Sequence, residues 1–171
     1  EGFWADLARE LGDFELRPAE VTALLVVSEN PACSQTEVGQ TLGIKRANMV
    51  PIVSRLMEQE GIGSYLVSVG GAVMTRGTNP EGKPWRVAIQ KPTDKENAVQ
   101  AVVDLNGHGI STSGSYRNYY ELDGKRISHV IDPSTGRPIE HKLVSATVIA
   151  PTALEADGWD TGLLVLGTEK A

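Results

Sequence analysis

The sequence predicts an α+β fold, in which a helical, helix-turn-helix-like N-terminal part precedes a mostly antiparallel β-sheet with a long C-terminal helix. Through the first third of the chain, apolar residues recur at helical spacing. From about residue 62 they alternate in short runs bounded by Gly, Asn, Asp and Pro, which is typical of strands. The pattern changes at 60–63 and divides the chain into a helical segment, residues 1–61, and a mainly β segment, residues 62–171.

Three helices are predicted in the first segment. Pro18 suits the first position of a helix, because its missing N–H would have no intrahelical partner there. Ser34 and Glu37 form a capping box that opens a second helix. Gly43 then breaks the chain before a third helix over about 46–60. A short helix, a glycine-containing turn and a longer helix are typical of a helix-turn-helix.

The second segment is predicted to form hairpins. A strand over 65–69 ends at a pair of glycines. Three hairpins then follow, one between 73–76 and 85–89, one between 98–105 and 110–113 that turns at Asn106-Gly107, and one that turns at Asp123-Gly124. A strand over 144–150 ends at Pro151, and Thr152 with Glu155 forms the capping box of a helix that runs to about residue 166.

Composition excludes several classes of protein. The 171 residues are 40% hydrophobic, which is enough for a core. There is no apolar run near 18 residues and no signal peptide, so we expect no membrane span and a soluble chain. The lone Cys33 excludes an internal disulfide framework. Residues 62–171 carry a net charge of about −1, which does not favour a polyanionic partner.

Two features of residues 128–167 indicate a site. The run from Asp132 to Gly136 has turn chemistry directly after a strand that ends in Ser-His. On the last helix, Asp157 and Thr161 are four residues apart, so a carboxylate and a hydroxyl share one helix face. Two such oxygen donors can hold part of the ligand shell of a hard cation such as Mg²⁺. The alternative is an exposed helix carboxylate beside a neutral threonine, with no ligand.

Four segments resemble the C-terminal part of one protein family in collinear order. They are GSYLVSVGG at 63–71, GKPWRVAIQKP at 82–92, GISTSGSYRNYYELDGKRISHVIDPSTGRPIEH at 109–141 and ADGWDTGLLVLG at 156–167. The family is ApbE, the FAD:protein FMN transferases, also known as thiamine-biosynthesis lipoproteins. The resemblance implies an enzyme that requires Mg²⁺, splits the pyrophosphate of its substrate FAD and transfers FMN to a threonine of an acceptor protein.

The resemblance also implies roles for three residues. Asp157 and Thr161 would be the metal ligands. His129 matches the site histidine of the family, and a neutral imidazole there could take the proton from the attacking threonine or from water. The alternative for His129 is a half-buried strand histidine bonded to the backbone.

A further set would contact the flavin nucleotide by the same resemblance: Gly70, Gly71, Ser111, Thr112, Ser113, Gly114 and Asp132. Hydroxyl and backbone donors suit phosphate and ribityl oxygens, and two glycines would let the backbone approach the ligand closely. Many members of the family carry an acidic residue after the glycine pair, whereas this chain has Ala72.

Residues 14–61 are similar to the DNA-binding core of MarR-type winged-helix regulators. Lys45, Arg46, Asn48 and Met49 would then open the recognition helix. Residues 1–61, however, carry five basic against ten acidic side chains, a net charge of −5, and duplex affinity depends on neutralising phosphates. The wing and the dimerisation helix that should follow Gly61 are also missing. We therefore expect a helical cap that does not bind DNA.

The two resemblances together predict a chimera of a shortened regulator core and a shortened transferase half. The chain begins at Glu1 without a lipobox and stops at Ala171, directly after the predicted metal helix. Residues 1–61 occupy the place of the family's N-terminal half, which supplies another part of the FAD cleft. We expect transferase function crippled by this truncation. The alternatives are a MarR-type transcriptional regulator and an engineered chain with no activity.

Overall fold

The computed structural model of the protein describes residues 16–93 and 98–170, apart from the side chain of Lys125. Residues 14 and 15 of the regulator-like segment lie outside this description. The elements in chain order are α1 (Pro18–Glu29), α2 (Gln35–Thr41), α3 (Arg46–Gln59), β1 (Tyr65–Val69), β2 (Ala72–Arg76), β3 (Trp85–Gln90), β4 (Val99–Leu105), β5 (Gly109–Gly114), β6 (Tyr119–Leu122), β7 (Lys125–Ser128), β8 (Ile131–Asp132), β9 (Arg137–Pro138), β10 (Ser145–Ala150) and α4 (Ala153–Leu166). This mixture of helices and antiparallel strands with a C-terminal helix confirms the predicted α+β class, without its helix-turn-helix-like part.

The helix starts follow the predicted capping. Pro18 is the first residue of α1. The Ser34 hydroxyl accepts a hydrogen bond from the Glu37 backbone N–H (3.2 Å), and the Glu37 carboxylate accepts one from the Ser34 backbone N–H (2.7 Å). These bonds satisfy two backbone donors that the first turn of α2 would otherwise leave without partners. The helix-turn-helix interpretation of α2 and α3 stays a prediction.

The main sheet has four antiparallel strands in the order β1-β2-β5-β10. Gly70 and Gly71 form the turn between β1 and β2, with φ of 63° and 102°. These are values that a side chain disfavours, which is why glycines occupy the turn. The α4 helix packs on β5 and β10 and also contacts α3, so one side of the sheet is covered by helices.

Two predicted hairpins are wrong. The segment 73–76 pairs with β1 and β5, while 85–89 pairs with β4. The segment with Asn106-Gly107 connects β4 to β5 along the chain, but these two strands belong to different sheets and do not pair. Instead, the Thr75 backbone N–H and hydroxyl both donate to the His108 carbonyl (3.3 and 3.0 Å), which holds the start of β5 against β2. Bonds to a strand distant in sequence therefore override the local turn signal.

The hairpin at Asp123-Gly124 is confirmed. It joins β6 to β7, and both turn residues have positive φ, 51° and 72°. That conformation is the one required of a two-residue hairpin turn that matches the twist of its strands. A smaller pair, β8 with β9, brackets the turn at 133–136.

One hydrophobic cluster joins the helices to the sheet. Its buried members come from α1, α2, α3, β1, the start of β2 and the start of α4: Ala23, Val38, Met49, Val50, Tyr65, Val67, Val69, Ala72 and Ala153. Alternate residues of β1 are buried, as expected for a strand with one face against helices. The core thus continues across the predicted boundary at 61/62. The division into two domains stays a prediction.

Candidate active site

The structure brings four predicted residues together between β5 and the middle of α4. Ser111 and Ser113 are two residues apart, so their side chains lie on the same face of β5. The Ser111 hydroxyl is 3.4 Å from the Asp157 carboxylate. The Ser113 hydroxyl is 2.8 Å from that of Thr161. The carboxylate and the hydroxyl that the sequence placed on one helix face therefore lie against a second pair of oxygens.

Two local features fix α4 on this strand. The Thr152 hydroxyl and the Glu155 carboxylate form the predicted capping box, so the helix begins at Ala153. Gly109 lies directly beneath this start. A Cβ at Gly109 would be only 2.5 Å from the Ala153 Cα, a distance that real side chains do not show. The missing side chain thus permits the close approach on which the serine contacts depend.

Asp160 belongs to the same cluster, and the sequence analysis missed it. Its side chain is fully buried. Its Oδ1 accepts hydrogen bonds from Ser113 (3.0 Å) and Thr161 (3.1 Å), while its Oδ2 is buried without a partner. Burial raises the pKa of Asp160. Bonds from nearby hydroxyls oppose this rise, and the negative charge of Asp157 adds to it. The spacing of two acids three residues apart on α4 was the available signal.

The donor set of this cluster fits a hard divalent cation. Mg²⁺ is commonly held by one or two carboxylates, with the remaining ligands from water and substrate phosphates. Asp157 and Thr161 could supply the first protein ligands, and the unpartnered Oδ2 of Asp160 is a third oxygen nearby. Across the described residues, no group of three or more His, Cys, Asp or Glu side chains could hold a metal. A cation bound at this cluster would therefore also need ligands other than His, Cys, Asp and Glu side chains.

Of the other predicted nucleotide contacts, the Gly70-Gly71 turn lies near the cluster and the Thr112 side chain does not. The pairing of Val73 with Ile110 brings the Gly70-Gly71 turn to the end of β5 that carries the serines. The Thr112 side chain, in contrast, lies on the opposite face of β5, where its hydroxyl is 2.9 Å from that of Thr147. The structure therefore does not bring the Thr112 hydroxyl to the cluster.

Gly114 and Asp132 have local roles. A Cβ at Gly114 would be 2.6 Å from the Tyr116 ring, so glycine lets that ring pack on the strand. The Asp132 carboxylate accepts hydrogen bonds from the Ser134 hydroxyl (2.7 Å) and backbone N–H (2.8 Å). These bonds lower the pKa of Asp132. Their contacts with a flavin nucleotide stay predictions.

His129 lies just after β7 and is exposed. Its Nδ1 is 2.7 Å from the Asn118 carbonyl oxygen. Because a carbonyl oxygen can only accept, Nδ1 carries the proton, and the Nε2 of a neutral ring keeps its lone pair. The backbone bond is the one foreseen in the alternative interpretation, but the ring is exposed rather than half-buried. No contact described in the structure joins His129 to the Asp157–Thr161 cluster.

A profile of the ApbE family matches residues 41–171. The chain belongs to the ApbE family. The match begins at Thr41 and thus includes α3, whereas the sequence analysis began the resemblance at residue 62. Neither a regulator-like origin of residues 14–61 nor a chimera is shown by this match, and both stay predictions.

Curated relatives and solved structures agree with this assignment. The chain is 85% identical over 119 residues to proteins named FAD:protein FMN transferase from Klebsiella pneumoniae (strain 342) and Escherichia coli (strain K12). Each match covers 70% of this chain and 34% of the relative, so the chain spans about a third of the length of these relatives.

Two solved structures have a similar fold. The flavin transferase ApbE from Vibrio cholerae has a TM-score of 0.64 and 42% identity, covering 73% of this chain and 39% of that one. The apo form of the Pseudomonas stutzeri flavinyl transferase ApbE has a TM-score of 0.62 and 47% identity, covering 73% of this chain and 38% of that one.

None of the helices in the described part of the chain has the length and apolar character that a membrane span requires.

Proposed function

We propose that the cluster between β5 and α4 is the cation and FAD site of a Mg²⁺-dependent FAD:protein FMN transferase. The observation that carries the proposal is that α4 meets β5 through two pairs of oxygens, the Asp157 carboxylate with the Ser111 hydroxyl and the Thr161 hydroxyl with that of Ser113. The chain belongs to the ApbE family, and its relatives are named FAD:protein FMN transferase.

In this proposal, Asp157 and Thr161 hold the cation, and Ser111 and Ser113 bind phosphate or ribityl oxygens. A bound Mg²⁺ would neutralise charge that grows on the attacked phosphoryl group and on the leaving group. The glycine turn between β1 and β2 lies at the same end of the sheet. Arg46 packs over Gly70, whereas the space where a side chain of Gly71 would lie is open and could admit a nucleotide.

His129 is the general base of the proposed reaction. The hydroxyl oxygen of an acceptor threonine forms a bond to the FMN phosphorus, and the bond from that phosphorus to the bridging oxygen breaks, which releases AMP. The hydroxyl proton passes to the Nε2 of His129. The hydrogen bond from Nδ1 to the Asn118 carbonyl (2.7 Å) supports this role, because it fixes the tautomer with a basic Nε2.

We expect weak FAD binding and negligible FMN transfer by this chain. The oxygen donors of the described cluster all lie on β5 and α4, so they would contact a bound nucleotide from one side. Phosphoryl-type transfer depends on positioning and preorganised charge from all sides. The binding free energy should be on the order of −5 kcal/mol. Mass spectrometry of a threonine-containing acceptor peptide after incubation with FAD and Mg²⁺ measures the transfer, and a stoichiometric FMN adduct would contradict the expectation.

A titration tests the proposed site. FAD is added to the full 171-residue chain with and without Mg²⁺, and flavin fluorescence reports binding. Asp157→Asn should abolish the Mg²⁺-dependent part of the binding, because it removes a ligand charge while keeping the side-chain shape. Asp104→Asn is the matched control: it makes the same change at an exposed ion pair with Arg86 on the β3–β4 hairpin. Equal FAD and Mg²⁺ binding by Asp157→Asn and the parent chain would refute the proposal.

For residues 16–61, we infer a packing role rather than DNA binding. Met49, predicted to open a recognition helix, is 1% exposed and lies in the core. The side chain of Arg46 packs over Gly70. Lys45, Arg46 and Asn48 are exposed, but the net charge of −5 over residues 1–61 disfavours binding to a duplex. A mobility shift at about 50 mM salt that persists against competitor DNA would contradict this inference, since low salt favours any binding.

A further inference from the structure

We propose that a cavity between α3, β1, β2 and the first turn of α4 binds a small neutral molecule with one aromatic ring and one hydroxyl group. The cavity has a volume of about 220 Å³. Tyr65, in its wall, is the first residue of β1, whereas the Gly70-Gly71 turn follows the last residue of that strand. The cavity thus lies at the opposite end of β1 from the glycine turn, and the inference does not depend on the proposed function.

The size and the wall of the cavity favour a single aromatic ring. An apolar cavity of about 150 Å³ admits benzene, so this larger one has room for one ring and a short substituent. Most of the wall is apolar, with Val50 from α3, Met74 from β2 and Leu154 from α4. A methionine sulfur and a tyrosine ring both interact favourably with the ring of a ligand. Leu154 is 47% exposed, so a ligand can enter at the start of α4.

One polar group of the wall lacks a partner. Ser54 is 8% exposed, and its hydroxyl is buried without a hydrogen bond. The nearby Tyr65 hydroxyl donates to the Glu58 carboxylate (3.0 Å), so its proton is not directed to Ser54. Burial raises the pKa of Tyr65, and Ser54 opposes part of this rise without forming a hydrogen bond of regular geometry. A buried hydroxyl without a partner is unfavourable, and a ligand hydroxyl beside Ser54 would supply that partner.

The charged groups around the cavity favour a neutral ligand. Arg55 and Glu58 both contribute to the wall. The Arg55 Nε is 2.8 Å from the carboxylate of the buried Glu20, and Glu58 pairs with Arg76. Both charges are therefore already compensated by a partner. An ionised ligand would bring an unpaired charge against an apolar wall, which is strongly unfavourable.

Methionine signals can report binding at this cavity. The chain has three methionines, Met49, Met57 and Met74, and Met74 is the one that lines the cavity. With ¹³C-labelled methyl groups, each gives its own NMR signal in the full 171-residue chain. The probes are benzyl alcohol and ethylbenzene, which have nearly the same shape and differ in the hydroxyl. We expect benzyl alcohol to shift the Met74 signal with a dissociation constant on the order of 1 mM, as suits so small a ligand. The absence of a saturable shift at Met74 would overturn the inference.

Ser54→Ala tests the predicted hydrogen bond. Its loss should raise the dissociation constant of benzyl alcohol about 3- to 10-fold. The constant of ethylbenzene should stay equal or fall, because the wall becomes more apolar. Ser68→Ala, at an exposed position of β1 that does not line the cavity, is the matched control and should change neither constant. Equal effects of Ser54→Ala on the two probes, or binding of ethylbenzene without binding of benzyl alcohol, would overturn the proposed ligand class.

Leu154→Trp tests the location, because the larger ring should fill the cavity from its exposed edge and abolish the Met74 shift by both probes. Leu166→Trp is the matched control: it makes the same change at 48% exposure near the other end of α4 and should leave the shift intact. The signal of Met49, a core side chain at 1% exposure, shows whether each variant is folded. A Met74 shift that persists in Leu154→Trp, or is lost equally in Leu166→Trp, would contradict the location. If Leu154→Trp does not fold, the comparison of the two probes with Ser54→Ala decides alone.

Discussion

Gly109→Ala tests whether the close approach of β5 to α4 holds the site together. An added Cβ would be 2.5 Å from the Ala153 Cα and from the Thr152 carbonyl carbon. The Ala153 backbone nitrogen would be closer still, and ordinary contact begins at about 3.4 Å, so the helix start would have to move by more than about 0.9 Å. The obstructing atoms are backbone and cannot rotate away. Overpacking of this kind costs about 1–3 kcal/mol, and the upper end is expected here.

The assay is urea unfolding combined with a thermal melt. A loss of about 3 kcal/mol corresponds to a fall of about 6–12 °C in melting temperature for a chain of this size. Moving α4 should also lengthen the 2.8 Å contact between Ser113 and Thr161 and so weaken metal binding. Gly158→Ala is the matched control, because its Cβ would meet nothing within 4 Å on an exposed turn of α4. It should stabilise by about 0.5–1 kcal/mol.

We expect Gly109→Ala to lower the free energy of unfolding and Gly158→Ala to raise it. A free energy of unfolding for Gly109→Ala within about 0.5 kcal/mol of the parent would refute the reasoning, since that is the range of an ordinary surface substitution. It would mean that α4 can shift without disturbing the contacts beneath it.

Three further predictions concern other parts of the fold. Thr152→Ala removes the hydroxyl that caps α4 and should lower the free energy of unfolding in urea by about 1 kcal/mol; an unchanged value would contradict the role of the cap. Leu164→Ala, at a fully buried side chain of α4, should cost about 2–5 kcal/mol, whereas Leu166→Ala, at 48% exposure, should cost less than about 0.5 kcal/mol. The hydrogen bond with Arg76 is the main cause that lowers the pKa of Glu58. The ionised Glu58 therefore stabilises the fold above its unfolded-state pKa near 4.5, and this stabilisation is lost as the pH falls through its folded-state pKa. Glu58→Gln should therefore flatten the fall in stability between pH 5 and pH 3, and an equally steep fall in both proteins would count against this ion pair.

Local signals predicted all four helices of the described residues and one of the two hairpins expected at a dipeptide turn. Capping boxes place the starts of α2 and α4 because their bonds are formed within four residues. Asn106-Gly107 and Asp123-Gly124 carry equally strong turn signals, yet only the second closes a hairpin. The difference is tertiary: the start of β5 bonds to Thr75, and that partner cannot be identified from the sequence around the turn.

The site shows the same limit. Helical spacing placed Asp157 and Thr161 on one face, and the structure brings both to β5. Strand alternation could have assigned the Thr112 side chain to the face opposite Ser111 and Ser113. Asp160 could not be ranked above the other acids of the chain, because its burial depends on the packing of β5 against α4. Interactions between elements distant in sequence decide that packing.

The most direct measurement is a crystal structure of the full chain grown with FAD and Mn²⁺, with the cation located by its anomalous scattering. We expect one anomalous peak in direct contact with the Asp157 carboxylate and the Thr161 hydroxyl, with the pyrophosphate of FAD beside it along β5. FAD bound away from β5, or a cation bound elsewhere with none at Asp157 and Thr161, would contradict the proposed site.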